Sequence, residues 1–293
     1  MASAEKIDEV IRLIVANYDP DEIMLFGSHA RGNPSDRSDV DMLILKETDE
    51  PFPRRVRTLQ HLLQGMLLRF DINVYTRREL ERAMEHPYSL IHRVVTRQAR
   101  TVYSKRFPDY DTIVRAWERE DSAERHARLQ KDPSEWKLFQ MLYERDRAAW
   151  KERPADVLAR RIAESKVKAL ADLGSGGDLR LAELLKQVRV TSVDHVAARE
   201  GIVAADLAAL PFPPGSFEAA AFSLSLIGRN WRQYLAEAAR ILRKNGLLFL
   251  AEPRRRAGDA ASRLLDAVED AGLVGDGKTL EQEGFVYVTA KKP

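Results

Sequence analysis

Cysteine is absent from this 293-residue chain, which excludes disulfide bridges, cysteine nucleophiles and thiolate metal ligands. An excess of one charge is missing too, since 47 Lys and Arg residues balance 45 Asp and Glu residues for a net charge of +2. Nucleic-acid binding would therefore have to come from local patches. The sequence also lacks an apolar run of the roughly 20 residues that a membrane-spanning helix needs. We therefore expect a cytoplasmic protein with no membrane association.

Hydrophobic periodicity predicts an α/β protein with two domains. The first, residues 1–105, is expected to be a small α+β domain. Its predicted elements are helices over 5–17 and 54–69, a strand that starts at 23 and runs into a glycine turn, and strands over 38–45 and 70–76. The helix at 5–17 is amphipathic and carries acidic residues, so it does not resemble a signal peptide.

The rest of the chain shows a different order of predicted elements. Residues 106–166 are mostly charged and helical, and we expect a connector that also supplies the leading helices of the second domain. Trp117, Trp136 and Trp150 are expected to pack within it. Over 167–293, strands alternate with helices, which predicts a doubly wound, mainly parallel, Rossmann-like sheet. The predicted strands lie at 167–174, 191–196, 201–206, 217–226, 246–253 and 285–291.

Three aspartates stand out in the first domain. Asp39 and Asp41 are two residues apart on a predicted strand, so their side chains leave the same face. Asp71 begins another predicted strand and could bring a third carboxylate to that place. Clustered carboxylates repel one another unless a cation lies between them. Mg²⁺, which prefers oxygen ligands, is the natural candidate. The alternative is that Asp39 and Asp41 are surface carboxylates beside a turn.

A glycine turn precedes these aspartates. Gly27 lacks a Cβ, so backbone N–H groups near Gly27 and Ser28 can approach a phosphate, and Arg31 can add charge-assisted hydrogen bonds. The motif GSHARG, followed by SDVDMLIL at 38–45, resembles the minimal nucleotidyltransferases of the polymerase-β superfamily. In VVTRQARTVYS, near the end of the domain, the Glu-Gly typical of that family is absent.

That resemblance implies roles for these residues. Gly27 and Ser28 would hold the triphosphate of a nucleoside triphosphate (NTP), Asp39 and Asp41 would bind two Mg²⁺ ions, and Asp71 would help to activate an acceptor hydroxyl. The implied reaction is in-line transfer of a nucleoside monophosphate with pyrophosphate leaving. Relatives of this type also occur as partners of toxins, so a regulatory module that acts on a protein partner stays open.

A second glycine turn follows the first predicted strand of the second domain, in the order Asp172, Gly174, Gly176. A nucleoside cofactor binds at such a turn in a doubly wound sheet. Asp194 and Asp206 end the next two predicted strands, where they could accept ribose hydroxyls and contact an adenine amino group. NAD is the competing cofactor. Asp178 argues against NAD because it would repel a phosphate.

This second domain resembles the methyltransferases of the ribosomal-RNA-processing type over residues 120–293. The most specific part is LSLIGRNW at 224–231. The resemblance implies that Asp172, Gly174, Gly176, Asp194, Asp206 and Leu224 line a pocket for S-adenosylmethionine. Three features depart from the family: Ser175 replaces a cysteine, Gly177 is inserted, and AEPRRRA replaces a Ser-Arg-Phe ending.

The two resemblances together predict a bifunctional, RNA-modifying transferase. The alternative is a single active methyltransferase, with a small molecule as acceptor, fused to a regulatory or antitoxin-like module. His29 and His195 adjoin the two motifs, and we expect them to be incidental neighbours.

Overall fold

The computed structural model describes residues 4–31, 33–35, 38–86, 90–95, 99–148, 150–254, 260–275 and 280–293. The chain divides into two units. The N-terminal unit comprises Met1–Thr112 and Lys137–Met141, and the C-terminal unit comprises Ile113–Trp136 and Leu142–Pro293. The helical segment expected to be a connector is therefore shared between the two units.

The N-terminal unit is built on a four-stranded sheet with strand order β3-β2-β1-β4. Strands β2 and β3 are parallel, whereas β1 is antiparallel to both of its neighbours. The strands are β1 (Glu22–Phe26), β2 (Val40–Leu45), β3 (Phe70–Tyr75) and β4 (Arg100–Ser104). The described helices are α1 (Ala4–Tyr18), α2 (Gly27–Ala30), α3 (Phe52–Leu62), α4 (Arg77–Met84) and α5 (Leu90–Arg93), and α6 (Tyr110–Glu118) begins in this unit but belongs mostly to the C-terminal one.

Helix α1 buries one face against this sheet, as its apolar spacing predicts. Val10 and Ile14 are fully buried there. Helix α3 ends at Leu62 and not at 69, because Gly65 follows in the left-handed region, with φ +98°. A glycine in this conformation commonly terminates a helix. The earlier end of α3 positions the chain for β3.

The C-terminal unit contains an eight-stranded sheet with order β10-β12-β9-β8-β5-β6-β7, and β11 pairs with β12. Strands β5 to β9 run parallel, and β12 is antiparallel to β9. The strands are β5 (Ala169–Leu173), β6 (Arg189–Asp194), β7 (Ile202–Ala204), β8 (Phe217–Ser223), β9 (Leu242–Pro253), β10 (Val274–Gly275), β11 (Leu280–Gln282) and β12 (Phe285–Lys291).

The remaining described helices begin with three that precede the strands of this sheet in the sequence. They are α7 (Ser122–Lys131), α8 (Ser134–Arg147), α9 (Pro154–Glu164), α10 (Arg180–Leu184), α11 (Trp231–Ile241) and α12 (Ala260–Asp270). All five residues of β5 are buried, as expected of a central parallel strand covered on both faces. The prediction of a small α+β domain followed by a doubly wound α/β domain is confirmed.

Candidate functional site

The three aspartates of the N-terminal unit lie at one edge of its sheet. Asp41 in β2 is the register partner of Asp71 in parallel strand β3, and partners in neighbouring strands point to the same face of the sheet. Asp39 immediately precedes β2. The fold therefore brings together carboxylates that are 30 positions or more apart in sequence.

Gly27 lies directly against this acidic edge. It follows β1, has φ +65°, and a Cβ at this position would lie 1.9 Å from Oδ2 of Asp41. Phe26 is the register partner of Asp41 in the antiparallel pair of β1 and β2. The carboxylate of Asp41 thus occupies space that any other residue at Gly27 would fill. Ser28 is the next residue of the same turn.

Electrostatics at this edge are repulsive. The pKa of Asp41 is raised, first by burial and then by the negative charges of Asp71 and Asp39. The positive charges of His29 and Arg31 act in the opposite direction. The residues that resemble a phosphate-binding turn and those that resemble a metal site therefore lie within electrostatic reach of one another.

Asp39 differs from the other two aspartates. Its Oδ1 lies 2.8 Å from Nε of Arg69 in an exposed ion pair. Within the described ranges, no group of three or more His, Asp or Glu side chains is arranged to hold a metal ion. Gly32 of the GSHARG motif and residues 96–98 of the closing motif lie outside the described residues. The predicted metal site is therefore not assembled in this arrangement of side chains.

In the C-terminal unit, the glycine turn follows central strand β5. Gly174 has φ +79°, and a Cβ there would lie 2.2 Å from Cβ of Ser225. The backbone N–H groups of Gly174 and Ser175 both donate to the carbonyl of Val193. Glycine is required here because the turn after β5 contacts the loop after β8 without space for a side chain.

Asp194 is the best-defined acidic group near this turn. It is 8% exposed. Its Oδ2 accepts from the backbone N–H of Gly176 at 2.9 Å, and its Oδ1 accepts from the backbone N–H of His195 and from Nε1 of Trp136, each at 2.7 Å. Trp136 was expected to pack the connector. It binds Asp194 instead, because α8 brings the indole N–H to a buried carboxylate.

Asp172 is buried more completely. It is 3% exposed, and burial, together with the charges of Asp178 and Asp194, raises its pKa to about 7. Asp178 is itself paired with Arg147, whose Nη1 lies 2.9 Å from Oδ2 of Asp178. The sequence argument that Asp178 repels a phosphate is therefore weaker than expected, because a cation offsets its charge.

Asp206 and Leu224 lie just beyond their strands and not at the strand ends. Strand β7 ends at Ala204, and Asp206 accepts from the backbone N–H of Ala208 at 3.0 Å. Strand β8 ends at Ser223 because Leu224 adopts φ +60°, with its N–H donating to the carbonyl of Ala251. Both side chains are buried. The carboxyl ends of parallel strands are where α/β sheets bind ligands.

Several residues of this region were missed by sequence reasoning. The hydroxyl of Ser225 donates to the carbonyl of Leu173 at 2.6 Å, and buried Glu252 accepts from the backbone N–H of Leu226 at 2.9 Å. Glu252 lies near the end of β9, directly after its apolar run, so a charged residue at the end of a buried run was an available signal. Neither Ser225 nor Trp136 has a comparable signal in the sequence.

In the parts of the chain that the structure covers, no helix is long and apolar enough to cross a membrane. The cytoplasmic location stays a prediction.

Two family models match the chain. Residues 118–293 match a family described as "Hypothetical methyltransferase". Residues 8–106 match the family described as "Polymerase beta, Nucleotidyltransferase". The two resemblances noted in the sequence are therefore confirmed at the level of the family.

Similar curated proteins match the C-terminal part. Ribosomal RNA-processing protein 8 of Arabidopsis thaliana is 29% identical over 170 residues, which cover 56% of this chain and 58% of that protein. The 25S rRNA (adenine(645)-N(1))-methyltransferase of Schizosaccharomyces pombe is 36% identical over 127 residues, covering 39% of this chain and 40% of that protein. The chain thus spans less than two thirds of the length of these relatives.

Among solved structures, the 1,6-didemethyltoxoflavin-N1-methyltransferase of Burkholderia thailandensis is 22% identical, with a TM-score of 0.44. It covers 58% of this chain and 90% of its own.

Proposed function

The chain belongs to the family described as "Hypothetical methyltransferase", and we propose that its C-terminal unit transfers a methyl group from S-adenosylmethionine to an adenine of RNA. The acceptor is inferred from the relatives, two of which carry the names of a ribosomal-RNA-processing protein and an rRNA adenine-N1 methyltransferase. The glycine turn, Asp172, Asp194, Asp206 and Leu224 would form the cofactor site.

The arrangement around Asp194 carries this proposal. The carboxylate lies beside a glycine turn that no side chain obstructs, at the carboxyl edge of a parallel sheet, where a nucleoside ribose binds in such folds. Of the donors that contact Asp194 through Gly176, His195 and Trp136, only Trp136 uses its side chain. Its indole is therefore the group that a ribose hydroxyl would replace. The residues present fit the cofactor.

Methyl transfer to N1 of adenine does not require the protein to transfer a proton. S-adenosylmethionine, when bound, supplies an electrophilic methyl group on a positively charged sulfonium. N1 of adenine already carries a lone pair, so the site has to orient the acceptor and exclude water and does not have to deprotonate it. Asp172 and Asp194, which would line the cofactor site, could offset the positive charge that the cofactor brings.

Calorimetric titration with S-adenosylmethionine tests the cofactor assignment. Incubation with methyl-labelled cofactor and total RNA, followed by digestion to nucleosides, tests the acceptor, and we expect the label on adenosine. Label in a small-molecule fraction, with none on RNA, would select the alternative acceptor. Absence of cofactor binding would contradict the proposal for this unit.

We further propose that the N-terminal unit transfers a nucleoside monophosphate from NTP in a Mg²⁺-dependent reaction, which would make the chain bifunctional. The close approach of Gly27 to Asp41 supports this proposal, because it places a side-chain-free turn against a carboxylate that its neighbours destabilise. Gly27, Ser28 and Arg31 would bind the phosphates.

The metal would be held by Asp39, Asp41 and Asp71. Asp39 would have to leave Arg69 to join the other two, since the ion pair now holds its Oδ1. When bound, Mg²⁺ would neutralise the carboxylates and polarise the transferred phosphate. The exposed pair of Asp39 with Arg69 costs little to break, because ion pairs of this kind contribute about 0–1 kcal/mol.

Calorimetry with each NTP, with and without Mg²⁺, tests this second activity. We expect binding heat only when the metal is present, and Asp41→Asn should abolish it. Labelled NTP should then transfer label to RNA. Label on a protein, or copurification of a small helical protein, would instead support a regulatory or antitoxin-like module.

A further inference from the structure

Helix α7 carries an arginine that is almost completely buried in the C-terminal unit. Arg125 is 2% exposed. Its Nη1 donates to the carbonyl of Trp117 at 3.1 Å, and its Nη2 donates to the carbonyl of Ile227 at 2.6 Å and to the hydroxyl of Tyr234 at 3.2 Å. Its Nε lies 3.3 Å from Nε2 of His195. One guanidinium thus contacts four separate parts of the unit.

Burying a guanidinium is costly unless its donors are satisfied. The partners of Arg125 are two carbonyls, a hydroxyl and an imidazole, and no ion pair with a carboxylate is found for it among the described residues. The guanidinium also lies over the Trp117 ring, 5.0 Å from the centroid. The buried guanidinium is stable only while all four segments keep these neutral groups in place. Its hydrogen bonds in turn hold the four segments together.

The contact with His195 determines where the imidazole protons lie. Because Nε of Arg125 can only donate, Nε2 of His195 accepts, and the proton of the neutral ring is on Nδ1. This Nδ1 lies 3.2 Å from Nδ1 of His126, so His195 donates and His126 accepts. The chain of hydrogen bonds from Arg125 to His126 therefore requires both imidazoles to be neutral.

The segments joined by Arg125 are the two loops that flank the proposed cofactor site. His195 directly follows Asp194 at the end of β6. Ile227 lies in the loop that begins at Leu224 after β8. The guanidinium therefore sets the distance between two loops. One follows Asp194 after β6, and the other carries the LSLIGRNW motif after β8.

Neighbouring contacts reinforce the same connection. The backbone N–H of Arg229 donates to the carbonyl of Glu120 at 2.9 Å, and Oδ1 of Asn230 accepts from the backbone N–H of Ser122 at 3.0 Å. On the other side, the amide of Gln130 donates to the carbonyl of His195. The segment leading into and along α7 thus holds both loops at once.

We propose that Arg125 is a positioning residue for methyl transfer, which holds the loops after β6 and β8 in register across the cofactor site. This inference rests on the proposed methyltransferase activity of the unit. The guanidinium acts through the loops and is not assigned a contact with cofactor or acceptor. The proposed cofactor residues come from both loops, but transfer also requires the acceptor to be placed against the methyl group, so it should be more sensitive to the loop spacing than cofactor binding is.

Acid should release this connection. A proton added to Nε2 of His195 would face the N–H of Arg125. The charged groups around His195 are Arg125, His126 and Arg128 on α7 and Asp194 on β6. Burial and the three groups on α7 keep the pKa of His195 well below its ordinary value. Arg125→Met lacks this contact at every pH.

The test compares Arg125→Met and Arg125→Lys with Arg160→Met as a control, since Arg160 is an exposed arginine on α9. Cofactor affinity is measured by calorimetry, and kcat with saturating methyl-labelled S-adenosylmethionine and total RNA. We expect kcat to fall about 100-fold in both Arg125 variants, as for a small misplacement of reacting groups, with a much smaller change in cofactor affinity. The acid limb of the pH–rate profile should be lost in Arg125→Met, because the contact that acid releases is absent from this variant.

A kcat equal to that of the wild type in Arg125→Lys would overturn the proposal. So would an equal loss of cofactor affinity and kcat with an unchanged pH profile, because that result indicates only a structural role. If Arg125→Met does not fold, Arg125→Lys, which keeps the charge but not the fork of donors, decides the question. Failure of the wild-type protein to bind or use the cofactor would instead contradict the proposed function.

Discussion

The carboxylates at the edges of the two sheets are held in opposite ways. In the C-terminal unit, Asp194 is buried and accepts from backbone N–H groups and an indole. In the N-terminal unit, Asp41 is partly exposed, and burial, followed by the negative charges of Asp71 and Asp39, raises its pKa. Asp194 would bind a neutral ribose by exchanging the indole N–H for a hydroxyl, whereas a site of repelling carboxylates needs a cation first.

The glycines next to these carboxylates, Gly174 and Gly27, differ in how rigid their neighbours are. A Cβ at Gly174 would meet Cβ of Ser225, whose hydroxyl is bonded to a backbone carbonyl. A Cβ at Gly27 would meet the end of the Asp41 side chain, which can rotate away. The C-terminal turn is therefore rigidly packed, and the N-terminal turn has an adjustable neighbour.

The largest expected effect is on Asp194. In Asp194→Asn the amide NH₂ replaces one oxygen and must face an N–H group, since both oxygens now accept. Charge-assisted hydrogen bonds contribute about 1.5–3 kcal/mol each, so loss of one should weaken S-adenosylmethionine binding about 10- to 150-fold. Calorimetry measures this. Asp266→Asn, at an exposed position of the same unit, should have no effect, and equal affinities for the two variants would refute the role of Asp194.

The second effect separates steric contact from backbone strain in the C-terminal unit. Gly174 and Gly272 have φ of +79° and +77°, but only Gly174 has an obstructing neighbour. Alanine should cost about 1–2 kcal/mol at Gly272 from backbone strain and about 1–3 kcal/mol more at Gly174 from overpacking. Denaturant unfolding of the two variants measures the difference.

The matched pair in the N-terminal unit sharpens the comparison. Gly65 has φ +98° with nothing near its missing Cβ, whereas Gly27 faces Asp41. Because a carboxylate end can move, the difference between Gly27→Ala and Gly65→Ala should be smaller than that between Gly174→Ala and Gly272→Ala. A larger difference in the N-terminal unit would contradict the view of an adjustable turn.

The third effect is the pH dependence of stability from Asp172. Its pKa of about 7 in the folded chain lies above the ordinary value of 3.8, so the folded state binds more protons than the unfolded state between these values. The free energy of unfolding should therefore fall as the pH rises from about 4 to 7. Asp172→Asn should remove that part of the slope. Unfolding at a series of pH values measures it, and an unchanged slope would show that Asp172 is not the group responsible.

The smallest effect is expected at Asp41. Asp41→Asn removes a carboxylate that burial and two acidic neighbours destabilise, so the metal-free protein should unfold at a slightly higher temperature. Asp194→Asn should lower the unfolding temperature, because it breaks satisfied hydrogen bonds. Thermal unfolding without ligand measures both changes. If the unfolding temperature rose in both variants or fell in both, the two carboxylates would not be held in opposite ways.

Local patterns in the sequence predicted much of this architecture. Alternating helix and strand periods, and the glycines after β1 and β5, were sufficient to locate both turns and the α/β order. The misplaced boundaries have local causes that hydrophobicity does not show. Leu224 leaves the strand conformation through a positive φ, and Gly65 ends α3.

The partners of the charged groups could not be predicted in this way. Trp136 and Asp194 are separated by 58 positions, and Arg125 and Ile227 by 102. Nothing in the sequence around Asp178 indicates its pairing with Arg147. Each of these contacts forms only when separate elements pack together.

The sequence by itself determined the order of the elements, the places where only glycine fits, and the families that the chain resembles. Periodicity and backbone sterics act over a few residues, so they can be read locally. The tertiary structure decided which carboxylates are buried, which donors satisfy them, and how the loops around Asp194 are held. Desolvation and hydrogen bonding depend on what lies next to a group in space, and that is a property of the packed fold.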